Sequence, residues 1–206
     1  MTKAASRALL AALALLWAAA VCAGIAAVYA HADAPGEPGS APSAWPEESR
    51  IRPEPGRPTL VMLAHPRCPC TRSSLGELER LLARAGDRAS AHVVFFLPEA
   101  EDPAWAMTDT FDRAAAIPGV RVMTDTSGAE ARLFGARTSG HVVLYDAAGR
   151  LSFSGGITPL RAHAGDSAGR DAILQRLLLL REPAGPSRTA PVYGCPLAPE
   201  NAPPAR

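Results

Sequence analysis

Apolar positions along this chain fall into one long block and several short ones. From Ala8 to Ala30 no residue is charged, a run of 23 residues. That is enough to cross about 30 Å of hydrocarbon as a helix. The next patterned stretch is Thr59 to Ala64, a short apolar run with Pro58 before it and Pro66 after it, which reads as a buried strand. Ser74-Leu75-Gly76-Glu77 has the capping-box form, and Leu75, Leu78, Leu81, Leu82 and Ala85 recur at helical spacing. Together they predict a helix over about 71–85 with one apolar face. His92 to Leu97 reads as a second buried strand. Pro103 then opens a helix with its body at 104–116. A weaker strand follows at 119–123, one or two helical turns at 129–134, and a strong strand at 142–145. Asp146 to Gly149 is turn chemistry, 151–154 alternates as a returning strand, and a last helix fits 169–181.

The segments between these elements set the domain organisation. Residues 31–58 are rich in Pro, Gly, Ala, Ser and Glu without apolar period, the composition of a semi-stiff linker. From Pro183 onward the chain is again proline-rich. The expected division is therefore an N-terminal membrane or signal segment (1–30), a linker (31–58), one domain (59–182) and a tail (183–206) that carries Cys195. Lys3 and Arg7 precede the apolar run and no acid does, which places the N-terminus in the cytoplasm and the remainder outside it. The reading is an inner-membrane anchor with a periplasmic or otherwise extracytoplasmic domain. A cleaved signal peptide is the alternative, since Val28-Tyr29-Ala30 and Ala30-His31-Ala32 both have small-x-small form; the length of the run favours the anchor. Cys22, inside the run, reads as a small apolar residue. A formal net charge of +1 gives no field for phosphate backbones, so nucleic acid is not an expected partner.

Strands alternating with helices, then a hairpin and a final helix, predict an α/β domain. The order β-α-β-α-β-β-α, with cysteines between the first strand and first helix, is the thioredoxin layout: a three-layer sandwich of mixed central sheet with helices on both faces, here behind one N-terminal transmembrane helix. The chemistry centres on Cys68-Pro69-Cys70. A thiol at a helix N-terminus faces unpaired N–H groups and a positive partial charge, which favour the nucleophilic thiolate. His65 and Arg67 add polar groups beside it. A C-x-C disulfide closes a very small ring, which suits exchange better than stapling. An exported domain with three cysteines (Cys68, Cys70, Cys195) has one pair and one left over, so Cys195 is a candidate to resolve a mixed disulfide with either of the others. Protein or small-molecule thiols and disulfides are the expected partners. No cofactor is needed for that chemistry. The alternative is copper, held by His65, Cys68, Cys70 and possibly Cys195, since thiolates and imidazole suit Cu(I). A peroxide-reducing role for Cys68 is disfavoured, because His65 stands three residues before it where a threonine is expected.

The run from His65 to Leu75 (His-Pro-Arg-Cys-Pro-Cys-Thr-Arg-Ser-Ser-Leu) resembles the opening motif of RedB-type thioredoxin-like proteins. The resemblance continues through Thr138-Ser139-Gly140-His141, Leu144-Tyr145-Asp146, Phe153 to Thr158, His163 to Asp166 and Gly194-Cys195-Pro196-Leu197. It implies a thioredoxin-like fold and a redox role, and names no substrate. By analogy with the two-residue-spaced motif, Cys68 is the nucleophile and Cys70 resolves; the one-residue spacing leaves that alignment open by one residue. Two departures from ordinary thioredoxins stand out. Arg67 replaces the usual Trp before the first cysteine, and Gly140 falls where a cis-proline is expected. His141 would then lie beside the cysteines as a proton donor or ligand, or be an ordinary strand residue. Asp166 or Ser167 is expected to cap the last helix.

Overall fold

A computed structural model describes residues 3–178 and 187–197. The chain divides into two compact units, residues 1–34 and 35–206. The first holds helix α1 (Lys3–Asp33), which has no buried residue and is long and apolar enough to cross a membrane.

The second unit is built on a six-stranded sheet. Its elements in chain order are β1 (Thr59–Ala64), α2 (Pro69–Ala85), β2 (Ser90–Leu97), α3 (Asp109–Ala116), β3 (Val120–Thr126), α4 (Ala129–Leu133), β4 (His141–Tyr145), β5 (Leu151–Gly155), α5 (Ala168–Leu178) and β6 (Arg188–Ala190). The strands lie in the order β3-β2-β1-β4-β5-β6. β1, β2 and β3 are parallel, β4 is antiparallel to both β1 and β5, and β6 runs parallel to β5. β1 is central and all six of its residues are buried, which is why its sequence is apolar without alternation. Leu60, Met62 and Ala64 face α2, α3 and α5 through Leu75, Leu78, Ala114 and Ile173. Val61 and Leu63 face the opposite layer, which holds Ala131 of α4, Phe134, Ile51 and Leu197.

That second layer departs from the reading of 31–58 as a plain linker. Trp45 sets its ring edge-on to Phe134 and Tyr145, at centroid distances of 5.1 and 5.2 Å. Ile51 is buried, and the Ser49 hydroxyl donates to the buried carboxylate of Glu130 at 2.7 Å. The Ser40 amide donates to the Gly135 carbonyl and the Trp45 amide to the Gly149 carbonyl, each at 2.8 Å. Short α4 leaves this face of the sheet partly open, and the proline-rich segment closes it with one Trp and one Ile. Its hydrogen bonds run to fixed loops, so no period shows in its sequence.

Two element boundaries also differ. α2 begins at Pro69, a favoured first helical residue, so Ser74 and Glu77 lie inside the helix and form no capping box. The stretch expected as one helix at 104–116 is a 3-10 turn at Pro103–Ala106 followed by α3. The break lets the hydroxyls of Thr108 and Thr110 both donate to the Pro66 carbonyl, at 3.1 and 2.8 Å. The last helix is seen from Ala168 to Leu178, and residues 179–181 lie outside the described residues. Ser167 caps it by accepting from the Arg170 amide.

Candidate functional site

The strand-to-helix turn after β1 carries Cys68 at the N-cap of α2, in extended backbone, and Cys70 one residue inside the helix start. Both are buried, at 2% and 5% exposure. The turn is held by hydroxyls. The His65 amide donates to Ser139 Oγ at 2.8 Å, and Thr71 Oγ1 lies 2.9 Å from that same oxygen and donates to the His65 carbonyl. Replacing any one would strand buried polar atoms at a cost of about 1–3 kcal/mol each.

Across from this turn lies the loop before β4, and on it lies the C-terminal strap. After β6, residues 191–197 run antiparallel to 137–139. The Ser139 amide donates to the Cys195 carbonyl and the Leu197 amide to the Arg137 carbonyl, both at 2.8 Å. Arg161 donates to the Gly194 carbonyl at 2.7 Å. The approach is close enough to demand glycine: a Cβ on Gly194 would stand 2.0 Å from the Ser139 carbonyl oxygen. The result places Cys195 Sγ 2.9 Å from Cys68 Sγ, with the Cys195 amide donating to the Cys68 sulfur at 3.3 Å. Cys195 is only partly buried. No disulfide is formed, and Cys22 is exposed on α1.

The electrostatics separate the three thiols. Hydrogen bonding from the Cys70 thiol, and from the thiol and amide of Cys195, draws Cys68 down to about 4 against the opposing effect of burial. Cys70 is pushed up, first because its thiol is the donor to Cys68 and then by burial; the Ala162 amide on its sulfur acts the other way. Burial and its own bond to Cys68 push Cys195 up to about 11. Ionisation is thus favoured at Cys68 over its two neighbours.

The loop that supplies Arg161 and Ala162 is pinned from below. Glu77 is fully buried; it accepts from the Gly165 amide at 2.8 Å and pairs with buried Arg170 at 2.8 Å. Arg170 also pairs with Asp166. Ala162 takes φ +54, a left-handed conformation costly for a residue with a Cβ. Sequence reasoning missed Arg161, Ala162 and Glu77. A buried carboxylate in mid-helix looks the same in sequence as a solvated one.

His65 lies at the site's edge. Its ring stacks on Phe96 and meets Trp105 edge-on, with centroids 5.9 and 5.6 Å away, and Nδ1 accepts from the Arg67 amide at 3.2 Å. The Arg67 guanidinium sits 4.3 Å over Trp105. Burial lowers the His65 pKa, against the pull of Cys68. Among the described residues no three His, Cys, Asp or Glu side chains are grouped to hold a metal ion. His141 is a β4 residue with Nε2 2.8 Å from Ser154 Oγ; burial drops it to about 4. His163 is exposed and bonded to the Arg161 carbonyl. Gly140 has φ +87 and donates its amide to Leu63, neither of which proline allows.

Comparison with solved structures agrees with this architecture. An uncharacterised conserved protein from Geobacillus kaustophilus superposes with a TM-score of 0.58 at 18% identity, over 82% of this chain and 94% of that one. A hypothetical protein from Sinorhizobium meliloti 1021 gives 0.51 at 18%, over 80% and 93%. DsbF of M. tuberculosis (MTB), solved in mixed oxidised and reduced forms, gives 0.45 at 17%, over 62% and 83%. The fold is thioredoxin-like. At these identities the likeness speaks for the fold. No family model matches the chain, and neither does any curated protein sequence.

Proposed function

We propose that this chain is a membrane-anchored, extracytoplasmic thiol–disulfide oxidoreductase of RedB type, working through Cys68 of its Cys-Pro-Cys centre on protein or small-molecule thiols and disulfides. The observation that carries the reading is Cys68, buried at the N-cap of α2, with Cys195 Sγ 2.9 Å from its sulfur and the Cys195 amide on it at 3.3 Å. Thiol exchange needs an ionised attacking sulfur and a second sulfur within bonding reach. A structural cysteine in apolar surroundings would instead be pushed up and lack a partner. The apolar α1, with Lys3 and Arg7 before its uncharged run, supports anchoring with the thiol domain on the oxidising side.

The test uses the full chain in detergent micelles, with thiol counts before and after dithiothreitol, turnover of insulin disulfides, and a Cu(I) titration against a competing chelator. Exchange predicts two dithiothreitol-sensitive thiols and turnover lost in Cys68→Ser. Stoichiometric tight copper that is lost in Cys68→Ser, with no turnover, would replace exchange by metal carriage through His65, Cys68, Cys70 and Cys195.

A further inference from the structure

The Cys-Pro-Cys spacing suggests that Cys70 is the partner of Cys68, yet the strap brings a different sulfur to it. Cys195 Sγ stands 2.9 Å from Cys68 Sγ. Three separate contacts hold it there: the paired backbone at Arg137 and Ser139, the Arg161 clamp on Gly194, and the Gly36 amide on the Val192 carbonyl at 2.8 Å. Such convergence is not needed to park an idle tail. Cys70, by contrast, is committed inward. It sits inside the first turn of α2 and is 5% exposed. Exposure divides the sulfurs too: Cys68 is 2% exposed, while Cys195 is partly open to solvent.

We propose that the working disulfide joins Cys68 to Cys195, that Cys195 is the sulfur through which a target enters, and that Cys70 stays a thiol throughout. This rests on the exchange reading and sharpens it. In the oxidising direction a target thiolate attacks Cys195 Sγ. The Cys68–Cys195 bond breaks and Cys68 leaves as thiolate, the better leaving group of the two. A second target thiolate then attacks the target sulfur bound to Cys195. That bond breaks, the target disulfide forms, and Cys195 departs and takes up a proton. The target loses two electrons and the Cys68–Cys195 pair gains them. In reverse, Cys195 passes its proton to the Cys68 thiolate 2.9 Å away and opens a target disulfide. The released target thiolate takes that proton. Cys68, again a thiolate, attacks Cys195 Sγ, which closes the Cys68–Cys195 bond and frees the second target sulfur as thiolate. The target gains two electrons and the pair loses them. Arg161 is a positioning residue: it holds the strap through the Gly194 carbonyl.

The peptide chemistry of this chain makes the test direct. Trypsin cuts after Arg67, Arg72 and Arg188, so Cys68 and Cys70 leave in fragment 68–72 and Cys195 in fragment 189–206. The full chain in detergent is oxidised with diamide, alkylated, digested and mapped by mass spectrometry. The expected product is 68–72 joined to 189–206, in wild type and in Cys70→Ser, and absent in Cys68→Ser. A disulfide internal to 68–72 overturns the proposal and leaves exchange standing. No disulfide at Cys68, with no insulin turnover, sinks the exchange reading itself. In reduced Cys68→Ser, where no sulfur stands ready to attack the adduct from behind, oxidised glutathione is expected to leave glutathione on 189–206; a 189–206 fragment that stays unmodified refutes Cys195 as the point of entry. Gly194→Ala, which drives a Cβ against Ser139, is expected to lower the joined product at least tenfold with unchanged circular dichroism. Arg161→Ala is expected to lower it severalfold and Arg161→Lys to restore most of it; equal yields in all three chains would remove the clamp from the mechanism.

Discussion

Oxidation of this protein is expected to raise its melting temperature by an amount that reports which sulfurs are joined. A cross-link constrains the unfolded chain in proportion to the logarithm of the loop it closes. Cys68 and Cys195 are 127 residues apart. The chain-entropy relation then gives about 5 kcal/mol at 25 °C, against about 1.6 kcal/mol for the three-residue loop of Cys68 and Cys70. For a folded unit of this size, about 1 kcal/mol moves the midpoint by roughly 2–4 °C. The strap disulfide therefore predicts a gain of about 10–20 °C, and the short one about 3–6 °C. The assay is calorimetry of the full chain in detergent, oxidised in one cell and reduced and alkylated in the other. Cys195→Ser is expected to abolish the gain and Cys70→Ser to keep it. A gain below about 6 °C, or one that survives Cys195→Ser, refutes the reasoning.

Other expected outcomes do not depend on which disulfide forms. Cys68 is held near 4, so its alkylation by iodoacetamide should stay level from neutral pH down and fall only as pH drops through about 4, where the thiolate takes up a proton. Cys70→Ala removes the foremost cause of that depression and should move the midpoint upward, with Cys70→Ser shifting it less because a hydroxyl still donates. Arg170→Ala leaves the buried Glu77 carboxylate with the half-exposed Arg80 as its remaining ionic partner and should cost about 1–3 kcal/mol in urea unfolding; an effect under about 1 kcal/mol would mean that Arg80 and water suffice for Glu77. Ser154→Ala strips His141 of its ring partner and should cost about 1–3 kcal/mol. Trp45→Ala, in the segment that reads as linker, should cost about 3 kcal/mol or more if that segment is part of the fold, and close to nothing if it is a spacer.

Sequence served well where one local signal decides the outcome. The buried strands β1, β2 and β4 each hold an apolar run of four or more residues, and the leucine spacing of α2 marks its buried face. The place of Cys68 followed from a strand on one side and a helix on the other. What stayed hidden depends on residues far apart in the chain. Nothing around Arg161 says that its guanidinium reaches Gly194, and nothing around Glu77 says that Arg170 neutralises it. Ser74 and Glu77 imitate a capping box because the motif is only a spacing; Pro69 had already begun the helix. The segment at 35–58 has too few apolar residues for a period, yet Trp45 and Ile51 suffice to close a face that α4 leaves open. The strap has the same character: one glycine where backbones touch, one cysteine where sulfurs meet.

That strap also decides how long a captured target stays. A mixed disulfide on Cys195 has the Cys68 sulfur already at its back, held by a backbone that pairs on both sides of Cys195. Well-oriented intramolecular reactants behave as though present at about 10⁵ M or more, far above any thiol that diffuses in from outside. Release should therefore outrun rescue by small thiols, and the protein would carry almost no stalled adduct at steady state. Remove the Cys68 sulfur and the same strap becomes a trap, holding whatever it last caught for long enough to be identified.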